Sequence, residues 1–124
     1  MKGKNFRLYA SLLLQIILGF LFLAAGAGKF LAREMWIQKF SNWGFPDHFY
    51  LLIGVVEIVA ALLLFIPKFA KYAALTLVII MLGALFTHIF NQELGELFRP
   101  GIFLVLLSTL IFLKRGTKPG STRK

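Results

Sequence analysis

The chain of 124 residues is 59% hydrophobic and 15% charged, and its 14 Lys and Arg against 5 Asp and Glu give a net charge of +9. A soluble domain carries about a quarter charged residues and under half apolar ones, so this composition excludes an ordinary soluble domain. The mean hydropathy of +0.81 says the same. The basic residues stand in short clusters between long uncharged runs, which is a membrane pattern and not that of a nucleic-acid-binding surface. With no Cys there are no disulfides, thiolate metal sites or CxxC redox chemistry, and no metal centre is expected.

A spanning helix needs roughly 20 apolar residues to cross about 30 Å of hydrocarbon. Residues 8–28 form an uncharged run broken only by Ser11 and Gln15, which predicts a first span over about 8–29. Lys2, Lys4 and Arg7, followed by this run and the small residues Ala24 to Gly28, imitate a cleaved leader. A leader's apolar core is typically only about 7–15 residues, so the segment reads as a retained span. A second run, 49–66, contains Glu57 and is closed by Pro67, and a third, 72–90, holds Thr76, Thr87 and His88. The fourth runs from Gly101 to Leu113, about 20 Å at the helical rise, and is the short one; it recruits Leu97 and Phe98, giving about 97–113. The expectation is one all-α domain, an integral membrane four-helix bundle.

Orientation follows the count of Lys and Arg in the loops. Four spans put the N-terminus, the second loop and the C-terminus on one side. That side holds Lys2, Lys4, Arg7, Lys68, Lys71, Lys114, Arg115, Lys118, Arg123 and Lys124, with no acid. The other holds Lys29, Arg33, Lys39 and Arg99 against Glu34, Asp47, Glu93 and Glu96. The excess predicts a multi-pass protein of the cell membrane with both termini cytoplasmic. Residues 116–124 read as a disordered basic tail able to touch anionic headgroups. In the first outer loop Trp36, Phe40 and Trp43 recur at i, i+4, i+7, which predicts a short amphipathic helix in the outer interface with its tryptophans in an aromatic belt. Gly44-Phe45-Pro46-Asp47 is the turn that re-enters the membrane.

Polar groups within spans are costly, so each marks a functional candidate. Gln15, Gly19, Phe22, Gly26 and Lys29 fall on one face of the first span. Glu57 is flanked by Gly54 and Ala61, and Gly83 and Ala84 lie one turn before Thr87 and His88. These small-residue stripes suit close helix packing and aim the polar groups at one another. Lys29, Glu57 and His88 are the candidates for ligand binding or proton relay, with Gln15, Gly26, Gly54 and Thr87 supporting a pocket that opens outward. Axial arithmetic sets Lys29 roughly 8 Å above Glu57, so a direct pair requires a tilted helix or a bridging water. Plainer readings exist for each. Lys29 marks a helix end, His88 bonds a carbonyl at headgroup level, His48 is a solvated turn residue, and Gln15 is an interhelical hydrogen-bonder.

In order along the chain, Gly19-Phe20-Leu21-Phe22, Ala25-Gly26-Ala27-Gly28-Lys29-Phe30, Trp43-Gly44-Phe45-Pro46, Ile53-Gly54-Val55-Val56-Glu57-Ile58, Leu62 to Pro67 and Ile80 to His88 resemble the DoxX-like family of small four-helix membrane proteins. The family's basic residue after span one, glutamate in span two and histidine ending span three map onto Lys29, Glu57 and His88. The resemblance implies a link to quinones, because the wider group is named for subunits of quinol oxidase and thiosulfate:quinone oxidoreductase. It leaves three expectations open. The first is an accessory or ligand-binding subunit for a quinone-like or lipid-like molecule. The second is a subunit of a quinone-linked oxidoreductase, and the third a membrane-protein assembly or interaction factor. A catalytic role would need a bound quinone, a partner's cofactor or a dimer, since the chain has no Cys for an iron–sulfur cluster and one in-span histidine. The expected partners are the bilayer and a membrane protein or a second copy, with no nucleic acid.

Overall fold

The computed structural model describes residues 2–114, so the basic tail expected at 116–124 lies outside the described residues. Within them the protein is all-helical. It comprises α1 (Lys2–Leu31), α2 (Arg33–Asn42), α3 (Phe49–Leu64), α4 (Pro67–Phe90) and α5 (Phe98–Lys114), with a 3-10 turn at Leu94–Glu96 before α5. Three segments are long and apolar enough to cross a membrane: Asn5–Leu31, Pro67–Phe90 and Leu94–Lys114. The short apolar helix is α3, not the last one. Pro67 explains the difference. It occupies the first turn of α4 and holds the preceding Ile66 in extended backbone (φ −101°, ψ 110°), so α3 ends at Leu64 and α4 starts five residues ahead of the apolar run at Tyr72.

Small residues decide how the helices approach. The most extensive packing is α1 on α3, followed by α4 on α5, α3 on α4 and α1 on α5. At the α1–α3 crossing Gly26 and Gly54 face each other. A β-carbon on Gly26 would stand 2.7 Å from Ile58 Cγ1 and 2.9 Å from the Gly54 carbonyl oxygen. One on Gly54 would stand 3.1 Å from the Phe30 ring and 3.2 Å from Lys29 Cβ. Gly19 does the same service further along α1, where the Phe65 ring fills the space a side chain would need. Ala70, Ala73 and Ala74, all buried, let α4 approach its neighbours closely.

The buried core is concentrated toward one end of the molecule. Leu18, Ala60, Ala61, Leu64, Ala70, Ala74, Leu77, Leu107 and Leu110 form it, with Phe22 and Met81 as its upper members. Arg7 fastens this end. Its guanidinium donates to the carbonyl oxygens of Phe112 and Leu113, each at 3.0 Å, satisfying backbone acceptors that the end of α5 leaves open. Gln15 adds a second tie: its side-chain amide donates to the Leu64 carbonyl oxygen at 3.0 Å, an acceptor that the end of α3 leaves open. At the other end, α2 and the loops around it close over space that the core does not fill.

The glycine contacts predict a graded response to substitution. Gly26→Leu should lose about 1–3 kcal/mol of stability through overpacking against Ile58 and Gly54. Gly28→Ala, where no atom lies within 4 Å of the added carbon, should be neutral or slightly stabilising in a helix. Thermal unfolding of the detergent-solubilised variants checks the order; equal Tm values would contradict the packing described.

Candidate functional site

Lys29 and Glu57 meet directly. Lys29 Nζ donates to Glu57 Oε1 at 2.8 Å, and both side chains are buried, 8% and 3% exposed. The axial offset expected from the sequence is overcome by helix register. Gly26 seated on Gly54 and Ile58 brings the Lys29 β-carbon level with Gly54, one residue short of a turn from Glu57, about 4.5 Å along the axis. The flexible lysine stem covers that distance. Gly54 has no side chain to obstruct it. Above the pair lies Trp36 of α2, whose ring centroid is 4.3 Å from Lys29 Nζ and 5.2 Å from Lys39 Nζ. The ammonium group therefore has a carboxylate on one side and an aromatic face on another, the two environments that best offset its burial.

A second polar cluster closes the same end. α4 finishes in a Schellman turn: the Glu93 amide donates to the His88 carbonyl oxygen and the Gln92 amide to that of Ile89, with Gln92 in the left-handed region (φ 57°). This reversal carries the Glu93 side chain back beside His88. His88 Nδ1 donates to Glu93 Oε1 at 2.7 Å, and Trp43 Nε1 donates to both carboxylate oxygens at 3.1 and 3.2 Å. Trp43 also stands edge-on to His88, with 5.4 Å between ring centroids. These hydrogen bonds, that of His88 first, hold the Glu93 carboxyl below the ordinary carboxylate range. With Nδ1 committed to the carboxylate, the imidazole keeps Nε2 for another partner.

Between the clusters is a cavity of about 550 Å³. Its polar lining includes Lys29, Glu57, Thr87 and His88, with Lys39, Glu96 and Arg99 also on its wall. The rest is mostly apolar and aromatic: Trp36, Phe40, Trp43, Phe45 and Phe49 on one side, Phe22, Met81 and Phe103 from the top of the core. Volume and lining match a small-molecule site with a few polar groups in an aromatic pocket.

Of the residues singled out in the sequence, Lys29, Glu57, His88 and Thr87 line this cavity, although the Thr87 hydroxyl is spent on the Gly83 carbonyl oxygen at 2.8 Å. Gln15, Gly26 and Gly54 do not line it. Gln15 lies deep in the core, its Oε1 without a partner among the described residues, and the two glycines act at the helix crossing that sets the Lys29–Glu57 register. His48 is exposed and caps α3 in the left-handed region, at φ 70°. Sequence reasoning missed Glu93 as the partner of His88, because the turn that folds it back uses Gln92 where a glycine would have been the signal. The two tryptophans expected in an interfacial belt line the cavity, Trp36 over Lys29 and Trp43 hydrogen-bonded to Glu93, partners that the sequence did not indicate.

Comparison with known proteins places these features in a lineage. The sequence model of the DoxX-like family matches residues 13–110. A protein of Haemophilus influenzae bearing the name "Uncharacterized protein" is 33% identical over 114 residues, 89% of this chain and 83% of its own length. A protein of Bacillus subtilis named "Putative oxidoreductase CatD" is 29% identical over 85 residues, 68% of this chain and 63% of its own. No solved structure matches the chain.

Two outcomes follow from the geometry. Lys29→Met or Glu57→Leu alone should cost about 3–5 kcal/mol by stranding a buried charge, and the double variant should cost less than either. Unfolding midpoints of the three variants test this, and strictly additive losses would count against the pair. For Glu93 the folded carboxyl titrates below its ordinary value, so its contribution is in place above the ordinary carboxylate range and is lost as pH falls through the lowered value. Trp43 emission should change through that acid window, and Glu93→Gln should abolish the change; persistence of the transition in the variant would place its origin elsewhere.

Proposed function

The chain belongs to the DoxX-like family of membrane proteins, and on that premise we propose that it is a ligand-binding or accessory membrane subunit whose cavity takes a quinone-like or lipid-like molecule. In this reading α1, α3, α4 and α5 form a multi-pass four-helix bundle in the cell membrane, both termini are cytoplasmic, and α2 lies at the outer interface. The loop charges support that orientation. The start of α1, the end of α5, Lys68 and Lys71 belong to the end fastened by Arg7, whereas Glu34, Asp47, Glu93 and Glu96 belong to the cavity end. The cavity then opens outward and is sealed toward the cytoplasm by the leucine and alanine core.

The observation that carries the reading is the cavity itself, with aromatic walls and two separated polar anchors. A quinone ring is flat, polarisable and edged by two carbonyl oxygens. The residues fit it. Lys29 has three N–H donors and spends one on Glu57, leaving donors for a carbonyl oxygen. His88, with Nδ1 donating to Glu93, offers Nε2 as an acceptor for a hydroxyl of the reduced ring, while Trp36, Trp43, Phe45 and Phe49 supply aromatic walls. Such a molecule supplies reversible two-electron chemistry when bound. The chain's own residues bind and orient the ring and exclude water, with the Glu57 carboxylate holding the Lys29 ammonium in place beside it.

A second reading is favoured by the name of the Bacillus subtilis relative: a subunit of a quinone-linked oxidoreductase, in which Glu57 and His88 move protons while a partner supplies the electron carrier. Native mass spectrometry of the protein extracted gently from its membrane separates the possibilities. The expected spectrum shows a quinone or other amphiphile retained by the wild type and reduced about tenfold in occupancy by His88→Ala or Glu57→Gln, with unfolding measured in parallel. Ligand-free wild-type protein, or retention equal in both variants, would overturn the binding reading. A co-purifying redox protein with quinone-dependent turnover abolished by the same variants would move the conclusion to the second.

A further inference from the structure

The cavity has two rims of different chemistry. At the ends of the helices its margin carries Lys39, Glu96 and Arg99, the chemistry of a water-facing mouth. Its lining also wraps around the flanks of α1 and α4. On α4 it passes from Met81, buried, to Gly83 and then to Ile79, which is 69% exposed. On α1 it passes from buried Lys29 through Gly28 to exposed Ala24. These flank residues lie far from the helix ends. Ile79 is eleven residues before Phe90, about 16 Å along the axis, and Ala24 seven before Leu31, about 10 Å. Exposure at that depth of a spanning helix faces hydrocarbon and not water. The flank rim is apolar throughout and is built of small residues, with no atom within 4 Å of where a β-carbon on Gly28 or Gly83 would stand.

We infer that the apolar flank of the cavity, which reaches Ala24 on α1 and Ile79 and Gly83 on α4, is a lateral portal through which the ligand enters from the bilayer and out of which its tail projects. The inference rests on the ligand reading of the preceding subsection and narrows it. The ligand is a ring-headed amphiphile with a long hydrocarbon tail, its head between Lys29 and His88 and its tail left among the lipids. A cavity of about 550 Å³ houses a substituted ring with a short stub of chain and not an extended polyisoprenoid, so a tailed ligand needs such an exit. A water-soluble ligand would need only the charged mouth, and the apolar flank opening would then serve nothing.

Both tryptophans of the chain, Trp36 and Trp43, line the cavity, so quenching of intrinsic fluorescence reports occupancy. The protein in lipid nanodiscs is titrated with a benzoquinone carrying a long isoprenoid chain and with the same ring lacking the chain. Gly83→Leu and Ala24→Leu each add bulk to the apolar flank, one on α4 and one on α1. Gly101→Leu, at another glycine with open space and outside the cavity lining, is the control. The affinity ratio of tailed to tail-less quinone should fall about tenfold in each portal variant and hold its wild-type value in the control. An unchanged ratio in both portal variants overturns the portal and leaves the head site standing. Equal loss of both quinones also overturns it, because the added side chains then occupy the head site. If neither quinone quenches the wild type, the ligand reading itself fails.

Discussion

The approach of α1 to α3 at Gly26 and Gly54 is the constraint on which the rest of the structure depends. Two backbones meet there because neither residue carries a side chain, and the contact fixes how far one helix is slid along the other. That register delivers the Lys29 stem past Gly54 to Glu57. The ion pair is thus a consequence of packing. A buried ammonium and carboxylate gain little net stability from each other once desolvation is counted, so the pair is weak as a staple and informative as a functional signal. Its position at the edge of the cavity, beneath an indole that both Lys29 and Lys39 approach, sets the charges against an enclosed space and not within the leucine and alanine core.

The two polar clusters are built by different means. Lys29 and Glu57 are carried by long helices whose register is set by glycine. His88 and Glu93 are five residues apart and are joined by a reversal of the chain at the end of α4. Glu93 is also the acceptor for Trp43, so the segment after α4 is joined through one carboxylate to the end of α2. The aromatic roof and the polar floor are therefore not independent parts.

Much of this was legible in the sequence and the remainder was hidden for identifiable reasons. Apolar runs and their charge-free length announced the helices, and mid-span Glu57 with Lys29 and His88 marked the polar wall, because such groups are costly in hydrocarbon. What periodicity on isolated helices cannot convey is the sliding of one against another. The axial offset between Lys29 and Glu57 was accordingly overestimated, and Gln15, on the same stripe as Lys29, was credited to a pocket that lies one core layer away. The fate of the loops was equally opaque. Glu93 counted as one loop acid among several until an unsignalled left-handed Gln92 turned it back, and the partners of the two tryptophans, a lysine and a carboxylate, could not be read from their spacing.

The Arg7 clasp on the last turn of α5 has a mechanical meaning. It ties the first helix to the last, where leucines and alanines already leave little free volume, while the opposite end encloses the cavity. A sheaf of rods bound at one end moves as a set of levers. Small rotations at the bound end, absorbed by side-chain packing, become displacements that grow with distance along each helix and are largest at the cavity. The breathing of this protein is thereby directed: the packed end acts as the fulcrum, and the compliance falls at the end that encloses the cavity.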